Sequence, residues 1–245
     1  MGWHLPFIND VYLLTTVCRF LLASLNIEAI LGEITIAERR EKLEEMARGN
    51  GLSDAYKATL TRLKIQKGNR PGLGLKALMW VLFSERPLRA EELCHALGVK
   101  IGSAELNPEN IPALRTLLSS CLGLLTVEAS SSTVRFLHFT LKEHLSNDAT
   151  LFPSLHSTIA EVCLTYLNFR SVRELSPTLD SAPSTMPLLE YASFYSGAHG
   201  QRELTEKIVE LGRRLFDIWN NHISSHLLEL ACSQGRGYSP YFHGK

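Results

Sequence analysis

A chain of 245 residues that is 45% apolar holds enough hydrophobic material for one large domain or two small ones. Its 25 basic and 25 acidic residues cancel, so no global field draws in nucleic acid or an anionic membrane. The cysteines (Cys18, Cys94, Cys121, Cys163 and Cys232) are odd in number and widely spaced, and at least two fall on helical apolar faces, so a reduced cytoplasmic compartment is expected.

Val11 to Leu25 is apolar, but Asp10 and Arg19 keep it short of the roughly 18 uninterrupted residues of a membrane span. Residues 10 to 31 are expected to form a buried helix ending near Gly32. Thr35-Ile36-Ala37-Glu38 has the pattern of a capping box, in which hydroxyl and carboxylate each satisfy a backbone N–H of the first turn. The helix it starts carries charges of alternating sign, as a solvated face does, and stops at Gly49-Asn50-Gly51. Ser53 is placed to cap a further helix that aligns Tyr56, Leu60 and Leu63, with Lys64, Lys67 and Arg70 gathered at its end, where cations suit the helix dipole. The turn-rich run Lys67 to Gly72 then closes a helical segment, residues 1–70. A phosphate loop is excluded between Gly68 and Lys76, because Lys76 lies between Leu75 and Ala77 instead of between a glycine and a hydroxyl residue.

Residues 71–150 read as a winged helix. Leu75, Leu78, Met79 and Leu82 share one helical face; after Pro87, Ala90, Leu93, Cys94 and Leu97 repeat the spacing up to Gly98. A third helix is predicted from Asn110 as N-cap, with Pro112 in its first turn and Leu114, Leu117, Leu118, Cys121 and Leu122 along one face. The period then changes to two: Leu124–Glu128 and Thr133–Phe139 are predicted strands joined by Ala129-Ser130-Ser131-Ser132. A short helix, Thr140 to Leu145, follows. Leu78, Leu93, Leu118 and Phe136 are expected to meet in the core.

Residues 151–232 form a second helical module. Ile159, Val162, Cys163, Tyr166 and Leu167 make one amphipathic helix. Residues 171 to 187, with three prolines among serines and threonines, make an irregular link. Leu188, Tyr191, Ala192 and Tyr195 open the next helix, and Leu204, Ile208, Leu211, Leu215 and Trp219 mark another. His222 to Leu230 is expected to be the last helical stretch, and residues 233–245 a flexible tail.

Leu78-Met79-Trp80-Val81-Leu82-Phe83-Ser84-Glu85-Arg86-Pro87-Leu88, Glu91-Glu92-Leu93, Leu117 to Leu125 and Phe136-Leu137-His138-Phe139-Thr140 together resemble the winged helix that follows the NACHT nucleotide-binding domain in fungal NACHT–ankyrin proteins. These are NOD-like signal-transduction ATPases of the STAND class. Pro187 to Ala192 resembles the helix that follows there, and the likeness covers about residues 20 to 240. The same winged-helix type takes its name from GPI inositol-deacylases, but the nearest approach to a hydrolase elbow, Gly51-Leu52-Ser53-Asp54-Ala55, lacks the final glycine. The resemblance implies that the winged helix closes over nucleotide at rest, and that His138 stands where many such domains carry a histidine touching the β-phosphate of ADP. In this chain the triplet is Leu137-His138-Phe139, with no aspartate. No Walker A or B segment and no ankyrin signature are present, so the chain is expected to be a fragment without the NTPase core.

Other constellations are weaker. A DNA-reading third helix would show several Arg, Lys, Asn or Gln side chains, whereas its free face offers Arg115, Thr116, Ser119 and Ser120, and the wing loop has no basic residue. His222 and His226, four apart with Cys232 near by, lack a second pair of ligands for a metal. No Ser or Cys sits in an activating context. The expectation is a mainly helical, non-enzymatic regulatory segment that binds protein partners such as NACHT or ankyrin modules, with no cofactor of its own, no membrane and no nucleic acid. A DNA-binding regulator is the alternative. On its own the chain is expected not to bind or hydrolyse ATP, and His138 is expected to be partly exposed and replaceable.

Overall fold

The computed structural model describes residues 30–47, 52–148 and 150–234. The predicted helix at residues 10 to 31 therefore lies outside the described residues except for its last two, and so do the Gly49-Asn50-Gly51 stop and the tail beyond Gln234. Helix α1 (Ile36–Ala47) opens on the predicted capping box: Glu38 N–H donates to Thr35 Oγ1 at 3.2 Å, and Thr35 N–H to Glu38 Oε2 at 2.9 Å. Helix α2 (Leu52–Lys64) buries Tyr56, Leu60 and Leu63 in one stripe.

The link into the winged helix is shorter than its sequence suggests. Helix α3 (Arg70–Phe83) starts at Arg70 with Pro71 in its first turn, where a missing N–H costs nothing. Gly74 sits at its crossing with the third helix of the wing: a Cβ there would stand 2.7 Å from Ser120 O, and only glycine lets the two backbones approach so closely. Helix α4 (Ala90–Gly98) buries Leu93, Cys94 and Ala96. The third helix, α5 (Leu114–Ser120), begins three residues later than predicted, with Ala113 in place of Asn110 at its N-cap. Asn107, not Asn110, does the local capping: its Oδ1 accepts from Glu109 N–H at 3.0 Å and starts a 3-10 turn, Pro108–Asn110. With that delay Leu117 becomes the buried leucine and Leu118 only half-buried; Phe136 too lies at the edge of the core.

Strands β1 (Leu125–Glu128) and β2 (Thr133–Phe136) pair antiparallel, Leu125 facing Phe136 and Glu128 facing Thr133, around the predicted four-residue loop. An isolated β-bridge beside this sheet has no counterpart in the sequence reading. Val134 N–H donates to Leu88 O at 2.8 Å, Ala90 N–H donates to Ser132 O at 2.9 Å, and Arg89 bridges Thr133, so the residues after Pro87 add an edge to the wing.

Helix α6 (Phe139–Ser146) leads to α7 (Leu155–Leu167), buried along most of its length, and the single turn α8 (Arg170–Arg173). Helices α9 (Leu189–Arg202), α10 (Glu206–Phe216) and α11 (Ile223–Ser233) complete the module, α9 packing most extensively on α7. Leu204 was predicted inward but is 69% exposed, because α10 starts only after Thr205, whose hydroxyl accepts from Ile208 N–H at 3.1 Å. One apolar core runs without a break from Tyr56 through Trp80, Leu117 and Tyr166 to Leu227. The fold is mainly helical with a two-stranded sheet, as the sequence indicates. No helix among the described residues is long and apolar enough to cross a membrane.

Candidate functional site

The strand–helix junction at His138 is built from three side chains. Extended backbone brings His138 to the N-cap of α6, where Nδ1 accepts from Thr140 N–H at 3.3 Å. Thr140 Oγ1 lies 2.8 Å from the same nitrogen and 2.8 Å from Tyr56 Oη. Since Nδ1 accepts, the satisfied arrangement runs from the Tyr56 O–H to Thr140 Oγ1 and from the Thr140 O–H to His138, and it ties α2 to the wing. The Phe139 ring stacks on the imidazole with centroids 4.7 Å apart. His138 is only 9% exposed, which corrects the expectation of a partly exposed residue. The imidazole itself caps the start of α6.

The other residues singled out by sequence do not converge. His222 caps α11, with Nδ1 accepting from Ser224 N–H at 3.2 Å, and its Nε2 donates to Leu167 O at 3.0 Å. Burial holds that ring below the usual histidine range. His226 instead points toward Asp180, 3.9 Å away. Among the described residues no three His, Cys, Asp or Glu side chains gather as metal ligands. Ser53 lies within the first turn of α2, its Oγ 3.4 Å from His144 Nδ1. On the face of α5, the Ser119 and Ser120 hydroxyls donate back to Thr116 O at 2.9 and 2.8 Å, and Ser120 is buried, leaving Arg115 as the cation of that helix. Arg135, beside the wing loop, is paired with Glu128 at 2.9 Å.

A buried polar seam joins the winged helix to the C-terminal helices, and sequence reasoning missed it. Glu92, fully buried at the third position of α4, receives two guanidinium bonds from Arg86 (2.9 and 2.8 Å) and the Arg89 backbone N–H (2.7 Å). Burial, the largest single influence, would raise its carboxyl; the bonds and charges of Arg86 and Arg89 together outweigh it and hold the group below the usual carboxylate range. Arg86 also covers the Tyr191 ring at 5.3 Å. Tyr191 meets Trp80 edge-on at 5.9 Å, its oxygen accepts Glu85 N–H at 3.2 Å, and it lies 3.0 Å from His199 Nε2. His199 Nδ1 is 2.9 Å from His156 Nδ1, and Arg202 pairs with both oxygens of Glu85. Burial, His156 and Arg202 push His199 down to about 3. The only sequence signal for this seam was an isolated histidine in each of two apolar helices, too little to link residues 43 positions apart.

Comparison with known proteins adds one finding. No curated protein and no solved structure matches the chain. Residues 67–162, from the α2–α3 link into α7, match the family described as GPI inositol-deacylase, winged helix domain, in agreement with the three helices and wing seen in the fold.

Proposed function

We propose that the chain is a non-catalytic regulatory and interaction segment of a NACHT-type signal-transduction protein, its winged helix serving as a movable cover for a nucleotide-binding domain supplied elsewhere. The observation that carries this reading is the winged helix itself: it matches its family across residues 67–162, yet its third helix is short, pressed against α3 at Gly74 and nearly bare of cations. Phosphate neutralisation supplies most sequence-independent DNA affinity, and this surface has little with which to make it. The resemblance gives His138 the role of contacting a phosphate in the closed state. Nδ1 already holds the helix cap, so any such contact falls to Nε2.

Titration of the full chain with duplex DNA at about 50 and 200 mM salt separates this proposal from the DNA-binding alternative. The expected outcome is no saturable binding at either concentration. Binding that weakens by orders of magnitude between the two would contradict the proposal and favour the alternative.

A further inference from the structure

The residues just after α3, the start of α7 and both the first and the last turns of α9 contribute to one chain of polar atoms: Glu85 N–H, Tyr191 Oη, His199 Nε2 and Nδ1, and His156 Nδ1. One set of directions satisfies every atom of the chain. Tyr191 Oη accepts from Glu85 N–H and gives its own proton to His199 Nε2, Ser84 Oγ being the other acceptor within its reach. A neutral His199 that accepts at Nε2 carries its proton on Nδ1 and donates it across 2.9 Å to His156 Nδ1, which leaves the His156 proton on Nε2.

We propose that His156, His199 and Tyr191 form a proton-operated latch that holds the winged helix against α7 and α9, tolerating one added proton and releasing at the second. The first proton is absorbed by reversing the chain. A proton from water ends on His199 Nε2, the one on His199 Nδ1 crosses to His156 Nδ1, and the Tyr191 hydroxyl turns to accept from Nε2, its own proton swinging to Ser84 Oγ, which donates to Trp80 O. A single positive charge then rests on His156, the half-buried member. Glu85 and Glu203 face that charge favourably and Arg202 opposes it. His199 Nε2 in turn comes to donate where Glu85 Oε1 lies 3.9 Å away. A second proton has no such solution. It puts an N–H on each Nδ1, pointing at the other across 2.9 Å with no acceptor between, so α7 and α9 must part at this end. Phe83, packed edge-on against both His156 and Phe152, and Arg86, lying over Tyr191 while it grips Glu92, carry that separation to the wing. Burial and the neighbouring Arg202 hold both rings below the usual histidine range, which keeps the latch closed at neutral pH.

Two-bond proton–nitrogen spectra of the full chain with 15N-labelled histidine, taken from pH 7.5 downward, report tautomer and charge for each ring, and amide exchange at Glu85 reports the latch. Expected at pH 7.5 are the Nδ1–H tautomer for His199 and the Nε2–H tautomer for His156. On acidification His156 takes up charge as His199 changes tautomer in the same step, and Glu85 exchange rises at least tenfold only in a second, lower step. His156→Gln, which removes one titrating ring, should merge the two steps. His199 found as Nε2–H at pH 7.5 would overturn the proposal without any variant. So would independent titration of the two rings, or a Glu85 exchange profile that His156→Gln leaves unchanged.

Discussion

His138 faces two demands at once, and the cap is the one visible in the fold. Nδ1 supplies the acceptor that an aspartate or asparagine would supply at the first turn of α6. His138→Leu should therefore lower stability by about 1 kcal/mol in a urea titration, whereas His138→Asn, which keeps an acceptor, should stay within about 0.5 kcal/mol of the parent. Equal losses for both would show that the cap bond contributes nothing. Five partly or fully buried histidines elsewhere in the fold share another property. His95, His144, His156, His199 and His222 are all held below the usual histidine range, burial being the first cause in each. Unfolded, such rings take up protons below about pH 6.5. A lowered folded value thus contributes stability that is fully present above that pH and drains away as pH falls toward the folded values. The melting temperature should drop between pH 7.5 and 5.5, above the range where carboxylates titrate; a flat profile there would show these rings are not kept neutral by the fold.

Among the elements, those with strong period were legible and those fixed by a single turn were not. The helices carrying Tyr56, Leu60 and Leu63, or Ile159, Val162 and Cys163, fold as their apolar spacing dictates. The hairpin loop at Ala129 to Ser132 falls where its small polar residues place it. The start of α5 was missed because two caps compete within four residues: Asn107 captures the chain into a 3-10 turn, and Ile111 to Ala113 run extended before the helix begins. The bridge at Arg89 has no periodic signal, since two backbone bonds flanking it suffice to hold Leu88 to Ala90 against the wing. The delayed start of α5 is directly testable. Leu117→Ala, at a fully buried site, should cost on the order of 2–5 kcal/mol, and Leu118→Ala clearly less, as urea midpoints will show. Equal losses would restore the phase suggested by sequence alone.

At the scale of the molecule, the winged helix is bound on both sides. Tyr56 ties α2 to the start of α6, and the Glu92–Arg86–Tyr191–His199 seam ties the wing to α9. Two further bonds fix the loop after α4: Gly102 N–H donates to Thr165 Oγ1 at 3.1 Å and Arg170 N–H to Ala104 O at 3.0 Å. None of these long-range contacts was legible, because each joins residues whose neighbours in sequence give them no partner. Their sum is one continuous packed unit from the His138 junction to the C-terminal helices, which suits the proposed role of a regulatory cover. The most direct measurement of that role is release of fluorescent ADP from a separately prepared NACHT nucleotide-binding domain mixed with the full chain. The account predicts that the chain slows ADP release several-fold and that His138→Asn, folded and capped, abolishes the slowing. ADP release that the chain leaves unchanged, or slowing that survives His138→Asn in full, would contradict it.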